Sequence, residues 1–426
     1  MTSETVRIGN AEYGGTFMAG NAGALGFVLP GELASMEPLV ILEASKDRVT
    51  PECEHFGTCG GCQYQHASYA AQVGLKAEIL LGIMTGAGLD AVPSMTTHRA
   101  GEWGYRNRIQ LRVERDADGF RFGYSRRGTN EFLPIAECPI AAPLLWRAAE
   151  ALIGLGASDA NCERWLMATS EVELFCTTDE SRLQMTLFLR DANRDGGSFP
   201  GLCTRLQVAV PELAGAGAEL DPELNRRVRR RWDGLAWGAS GLNYEADGRS
   251  YWVSRGVFFQ VNRFLVDRLV GLVCTEARGG LAWDLFAGVG LFTRVLAERF
   301  ERVVAVEMGD EAAADLAIAA KGGKGRPGFQ AVHASTLDFL RQHELQRERP
   351  DLIVMDPPRA GAGTEAATVL ARIGAAKLVY VSCDPVTLVR DLAVLTRETY
   401  RIESVDLVDL FPQTFHLETV VRLVRR

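Results

Sequence analysis

The chain has 426 residues, 47% hydrophobic and 23% charged, which is enough apolar material for two or three folded domains and excludes a disordered chain or a short disulfide-stapled toxin. No stretch approaches the roughly 18 uninterrupted apolar residues of a membrane span, and Met1 to Gly15 shows no basic start followed by an apolar run, so a soluble, cytoplasmic protein is expected. The 46 Lys and Arg against 54 Asp and Glu give a net charge of −8, which excludes generic electrostatic adhesion to nucleic acid as the main design and leaves any such partner to locally basic patches.

Residues 1–50 alternate short apolar runs with glycines: Glu4 to Ile8, Gly15 to Ala19, Ala24 to Leu29 and Pro38 to Ala44. Four strand signals are one fewer than a five-stranded oligonucleotide-binding (OB) barrel needs, so a shortened β module is expected. Residues 51–98 combine a cysteine-rich loop, Pro51 to Gln65, with helical spacing of Val73, Ala77, Leu80, Leu81 and Met84. Residues 99–251 read as a central α+β domain, with strand-like alternation in Arg108 to Glu114, Glu171 to Cys176 and Arg182 to Leu189. Within it, the Gly/Ala-rich stretch Ala214 to Asp221 reads as a surface loop. The run Arg226, Arg227, Arg229, Arg230 and Arg231 reads more readily as a solvated helix face than as a nucleic-acid site.

Residues 252–426 change rhythm. Apolar strands at Leu281 to Phe286, Arg302 to Val306, Phe329 to Val332, Asp351 to Met355 and Lys377 to Ser382 alternate with helical segments, the pattern of an α/β domain with a parallel sheet. The tail, Tyr400 to Leu410 and His416 to Leu423, leaves no room for a crossover helix, so this last pair must be antiparallel.

Asp284 opens the turn Asp284-Leu285-Phe286-Ala287-Gly288-Val289-Gly290 after the first of these strands, and Glu307 ends the second. An acidic side chain there can accept both hydroxyls of a ribose. A dinucleotide would call for a third glycine to seat its pyrophosphate, and Phe292 stands in that place; S-adenosylmethionine, with a ribose and no phosphate, fits better. A Gly-x-Gly turn alone reads equally as a tight structural turn. Its companions add weight: Asp356-Pro357-Pro358-Arg359 follows the fourth strand and Ser382-Cys383-Asp384-Pro385 the fifth. Ligands of open α/β sheets sit beyond the carboxyl ends of the strands, so Asp284, Glu307, Asp356 and Cys383 converge on one mouth.

These residues, with Phe258-Phe259-Gln260-Val261-Asn262 and His416-Leu417-Glu418-Thr419-Val420, resemble the RNA uracil-5 methyltransferase family. Within it they resemble the iron–sulfur members that act mainly on large-subunit ribosomal RNA. The resemblance spans nearly the whole chain. It implies an N-terminal OB/TRAM-like module, a central α+β domain and a Rossmann-like class I methyltransferase domain. Asp284 and Gly288 already mark the cofactor loop; the family pattern adds Gln260, Phe286, Glu307 and Asp356 as contacts to S-adenosyl-L-methionine, with Cys383 as nucleophile and Glu418 as base. Its implied partner is RNA, 23S rRNA before the T-loop of tRNA, with no membrane partner and a monomer as the default state. Phe259 and Phe411 are candidates to flank a flipped base, although each reads more simply as a core aromatic. Trp103, Tyr105, Arg106 and Arg108 fit RNA contact and a solvated strand edge equally well. Two features depart from the pattern: the shortened N-terminal module, and Asp384 where many relatives carry Asn.

Nine cysteines without an export signal point to thiols, metal ligation or catalysis rather than disulfides. Cys53-x5-Cys59-x2-Cys62 gathers three thiols in a glycine-rich loop, and Cys138, followed by Pro139, matches the family's fourth ligand. The resemblance implies a [4Fe–4S] cluster, with zinc in a four-thiolate site as the alternative. Cys162, Cys176, Cys203 and Cys274 show no pairing pattern and are assigned to packing. Three competing functions remain: an adenine amino-methylase, which shares the Asp-Pro-Pro turn but needs no cysteine; a cytosine-5 methyltransferase; and an RNA-binding iron–sulfur module without catalysis.

Overall fold

The computed structural model describes residues 5–89, 92–191, 198–221, 234–322 and 328–426. The chain divides into two compact units. One comprises Met1–Pro51, Cys62–Ala100 and Leu265–Arg426; the other comprises Glu52–Gly61 and Gly101–Phe264.

The first unit is built on an eight-stranded sheet. Its strands are β1 (Gly279–Leu285), β2 (Phe300–Glu307), β3 (Gln330–His333), β4 (Leu352–Met355), β5 (Lys377–Ser382), β6 (Tyr400–Val408) and β7 (Glu418–Arg425), in the order 3-2-1-4-5-7-6. The first five are parallel, and β7 runs antiparallel to both β5 and β6, as the missing crossover requires. The short strand Thr96–His98 pairs in parallel with β6 and supplies the outer edge, an addition the sequence did not announce. The order reverses between β1 and β4, so the carboxyl ends of those strands open a crevice.

The helix Tyr69–Gly86 starts where expected, capped by Ser68, whose Oγ accepts from the Ala71 N–H at 3.4 Å. Val73, Leu80 and Met84 point into the core as the spacing requires, but Leu81 is half exposed and Lys76 is fully buried. The N-terminal module has six short strands among the described residues, in two three-stranded sheets. Thr5–Arg7, Leu33–Met36 and Leu39–Glu43 form one; Ala11–Glu12, Thr16–Met18 and Ala24–Leu25 form the other. The expected four strands were too few because Ala11–Glu12 and Leu33–Met36 are too short to show alternation.

The second unit is a seven-stranded sheet with the helices Pro143–Ser158, Ala160–Ala168 and Phe199–Ala209 packed into its core. The stretch read as a surface loop is instead an internal strand, Leu213–Leu220, lying between Leu183–Leu189 and Leu235–Gly238. Its glycines are there for closeness: a Cβ on Gly215 would meet the Ala239 carbonyl oxygen at 2.0 Å, and one on Gly217 the Arg255 guanidinium at 2.1 Å. The arginine run 226–231 lies outside the described residues. Among the described residues, no helix is long and apolar enough to cross a membrane.

Candidate active site

The turn after β1 carries the strain of a site rather than of a simple connection. Phe286 adopts a left-handed backbone (φ 61°), costly for a bulky side chain, and Gly288 and Gly290 follow at φ 55° and 89°. A Cβ on Gly288 would meet nothing within 4 Å, so this turn faces open space. Glu307, at the end of β2, ties the turn down: one carboxylate oxygen accepts from the Gly288 N–H at 2.8 Å, the other from Met308 and Gly309 at 2.8 and 2.7 Å. Two carboxylate oxygens have lone pairs to spare for ribose hydroxyls.

Asp284 is fully buried. Its Oδ2 accepts from the Thr293 hydroxyl, whereas Oδ1 has no hydrogen-bond partner among the described residues. Burial pushes its carboxyl up to about 7, with Glu307 adding to the effect. Asp356, beyond β4, is likewise raised by burial and by Asp284. Glu418 opens β7, 3% exposed, with Oε1 unpartnered among the described residues. Burial, then Asp356, hold it well above the usual carboxylate range. Cys383 follows β5; burial pushes its thiol up to about 12, with Glu418 and Asp356 adding to the shift and Arg359 opposing it. Asp356, Arg359, Cys383 and Glu418 therefore lie within electrostatic reach of one another.

The loops bearing these groups are buttressed. Asp391 is buried in the helix Pro385–Thr396; it accepts from the Tyr380 hydroxyl at 2.8 Å and from the Ala362 and Gly363 N–H groups at 2.9 and 3.1 Å. This fixes the segment after Asp356-Pro357-Pro358-Arg359 against the helix that follows Cys383. On the other side, Lys76 Nζ reaches Asp409 at 2.6 Å, and Gln72 and Gln413 exchange two hydrogen bonds of 2.9 Å. Those contacts frame the loop ahead of Glu418.

Asp284, Phe286, Gly288, Glu307, Asp356, Cys383 and Glu418 all belong to the first unit. Gln260 belongs to the second, 7% exposed, its carbonyl accepting from Asn107 at 3.0 Å. Phe259 is buried against Tyr244 and Tyr251 in that unit, as a core aromatic, whereas its neighbour Phe258 is 65% exposed. The Phe258-Phe259 pair carried that signal, since successive residues in extended chain face opposite sides. Phe411 is half-buried, its ring 5.9 Å from that of His416. Tyr105 is fully buried, and Arg108 directs its guanidinium to Glu173, the Val257 carbonyl and the Phe175 ring, so neither presents an RNA surface.

Cys53, Cys59 and Cys138 lie in the second unit, close enough that Cys53 and Cys59 each raise the Cys138 thiol, which is also raised by burial. Cys62 begins the next segment of the first unit. Among the described residues, no group of three or more His, Cys, Asp or Glu is gathered as a metal-ion site. Cys162, Cys176, Cys203 and Cys274 are buried.

A family model described as tRNA (Uracil-5-)-methyltransferase matches residues 329–426, which carry Asp356, Cys383 and Glu418. An uncharacterized RNA methyltransferase of Rhizobium meliloti is 32% identical over 93% of this chain and 92% of its own. The 23S rRNA (uracil(1939)-C(5))-methyltransferase RlmD of Chromohalobacter salexigens is 32% identical over 90% of this chain and 78% of its own. The tRNA (uracil-54, C5)-methyltransferase of Pyrococcus abyssi, solved with S-adenosyl-L-homocysteine, matches all of both chains with a TM-score of 0.76 at 22% identity, a likeness of fold. The matched family region and relatives of this identity over most of their length agree: the chain belongs to the RNA (uracil-5-)-methyltransferase family.

Proposed function

We propose that the protein methylates carbon 5 of a uridine in 23S rRNA, with Cys383 as nucleophile and Glu418 as base. The observation that carries this reading is the grouping of a half-buried thiol, a buried carboxyl and an arginine beyond adjacent strands. Carbon 5 of uracil is a poor nucleophile. Addition of Cys383 Sγ to carbon 6, with loss of the thiol proton, makes carbon 5 an enolate carbon able to attack an electrophilic methyl group. S-adenosylmethionine supplies that methyl when bound. Phe286, Gly288 and Glu307 would hold its nucleoside end, and the unpartnered Asp284 oxygen and open Gly288 turn suit such an occupant. After methylation, carbon 5 still bears its proton; Glu418 removes it in its ionised form as the thiolate is eliminated, the raised pKa making that carboxylate a stronger base while lowering the fraction ionised at neutral pH. Arg359 is the cation opposing the rise of the Cys383 pKa and so favours the attacking thiolate.

The alternative substrate is the T-loop of tRNA, favoured by the wording of the matched family model; 23S rRNA is favoured by the 32% identical relative that acts on it. Mass-spectrometric mapping of 5-methyluridine in both RNAs, from cells with and without the gene, decides between them. Cys383→Ala should bind RNA and form no adduct. Glu418→Gln should add and methylate but fail to release, leaving a protein–RNA species with labelled methyl on a denaturing gel. Normal turnover by either variant would refute the mechanism.

Cys53, Cys59, Cys62 and Cys138 would hold a [4Fe–4S] cluster through their four thiolates. Methyl transfer consumes no electrons, so the cluster is a structural tie, and Cys59→Ser should lower stability before activity. Protein purified without oxygen should contain iron and acid-labile sulfide; zinc without sulfide would overturn the assignment.

A further inference from the structure

Tyr13, in the N-terminal β module, touches both halves of the reaction machinery within its unit. Its hydroxyl donates to Asp384 Oδ2 at 3.2 Å, one residue from Cys383. Its ring meets Phe415 edge-on, with centroids 5.4 Å apart; Phe415 in turn lies 4.1 Å from the ring of His416, two residues before Glu418. Asp384 is therefore held from two sides. While Oδ2 takes the tyrosine, Oδ1 caps the helix Pro385–Thr396 through the Val386 and Thr387 N–H groups at 3.1 and 2.9 Å.

Only a carboxylate accepts at both positions. An asparagine that kept the cap would turn its NH2 toward Tyr13 and reverse the hydrogen bond. The aspartate at 384, which departs from the family pattern, is thus matched to a phenol donor supplied from more than 350 residues away in sequence. Burial and Asp384 both raise the Tyr13 pKa, so the phenol stays protonated and donating through the working pH range.

We propose that Tyr13 is a positioning residue for the nucleophile, clamping Asp384 so that Cys383 Sγ meets carbon 6 of the target uracil. The proposal rests on the assignment of Cys383 as nucleophile. A misplacement of about 1 Å costs on the order of a hundredfold in a covalent step, so loss of one of two clamps should cost about tenfold.

The test separates the two claims. RNA carrying 5-fluorouridine has no proton to lose at carbon 5, so it stops at the methylated covalent adduct, and adduct formation reports the addition limb without release. The wild type should form that adduct and Cys383→Ala should not; absence of adduct in the wild type overturns the nucleophile assignment itself. Tyr13→Phe, which keeps the ring contact to Phe415, should form adduct about tenfold more slowly at saturating RNA and S-adenosylmethionine, with RNA affinity within twofold of wild type. Asp384→Asn should slow the reaction too, and Tyr13→Phe/Asp384→Asn should be no slower than the slower single variant, because both break one contact. Wild-type rates in Tyr13→Phe, additive losses in the double variant, or a rate loss that vanishes at saturating RNA would each overturn the positioning role.

Discussion

Asp284 should make the protein lose stability as pH rises, because the fold buries a carboxyl with one oxygen that lacks a partner among the described residues. Its pKa rises from 3.8 to about 7 on folding. Below about pH 4 the group is protonated whether folded or not, and the fold bears no penalty. Between there and pH 7 the unfolded chain ionises freely while the native state holds its proton, so stability falls as pH climbs and the loss is complete once the native carboxyl has titrated. With those two values, the part of the loss between pH 5 and pH 8 is about 2.6 kcal/mol. Asp284→Asn removes the titration and should flatten the profile by that amount. Trp283 is buried beside it and is the one tryptophan in the sequence segments of this unit, so 5-fluorotryptophan resonances, with Trp283→Phe for assignment, isolate this unit's unfolding in urea. The difference between wild type and Asp284→Asn cancels the titrating groups that do not interact with Asp284, leaving its own titration and its effect on Asp356. Parallel profiles, within about 0.5 kcal/mol from pH 5 to 8, would refute the argument that this carboxyl is an uncompensated buried acid.

Arg359→Gln removes the cation that opposes the rise of the Cys383 pKa. Adduct formation on 5-fluorouridine RNA at saturating RNA should slow by about tenfold, the equivalent of roughly one pKa unit, and because the thiol titrates at about 12 the deficit should persist across the working pH range; a deficit that vanishes at saturating RNA would reassign Arg359 to RNA binding. Lys76→Met strands the fully buried Asp409 carboxylate and should destabilise this unit by about 3–5 kcal/mol, measured by the same fluorine signal. Lys76→Met/Asp409→Leu should recover most of that loss, and failure to recover would show that the pair sets the loop's conformation rather than balancing a charge.

The central strands of the catalytic sheet were legible because parallel strands covered on both faces read as unbroken apolar runs, and Val303 to Val306 or Leu352 to Met355 can be little else. The turns after them were legible for a different reason: Asp284, Glu307, Asp356 and Cys383 are polar residues placed where an apolar run stops, and topology sends such positions to one mouth. The misread strand Leu213–Leu220 shows the limit of propensity. Glycine and alanine are poor strand formers, and what selects them is the nearness of the Ala239 carbonyl and the Arg255 side chain, a tertiary fact with no local signature. Thr96–His98 escaped notice because three residues do not make a period. Lys76 escaped because a lysine in an amphipathic helix is expected at the solvent, and its partner Asp409 lies 333 residues on.

That hidden pair bears on how the site is assembled. In its proposed role Glu418 needs the chain between β6 and β7 to return its carboxyl to the crevice; Leu410 and Leu417 are fully buried there and Phe415 packs against the core of the N-terminal module. Polar contacts add to that apolar anchoring. Lys76 binds both the Asp409 side chain and, at 2.9 Å, the Phe411 carbonyl; Gln72 holds both ends of Gln413; and the Gln63 and Tyr64 N–H groups donate to the Gln413 carbonyl at 2.9 Å each. Gln413 sits in a left-handed conformation (φ 70°) that the loop adopts because its amide and carbonyl are engaged on both sides. With Tyr13 reaching the opposite loop at Asp384, residues from the first hundred of the chain touch both turns that carry the proposed catalytic groups. The N-terminal segments therefore belong to the same compact unit as the proposed catalytic groups, and a fragment beginning at β1 would carry Cys383 and Glu418 yet leave Asp409 buried without its cation and the loop before Glu418 without its frame.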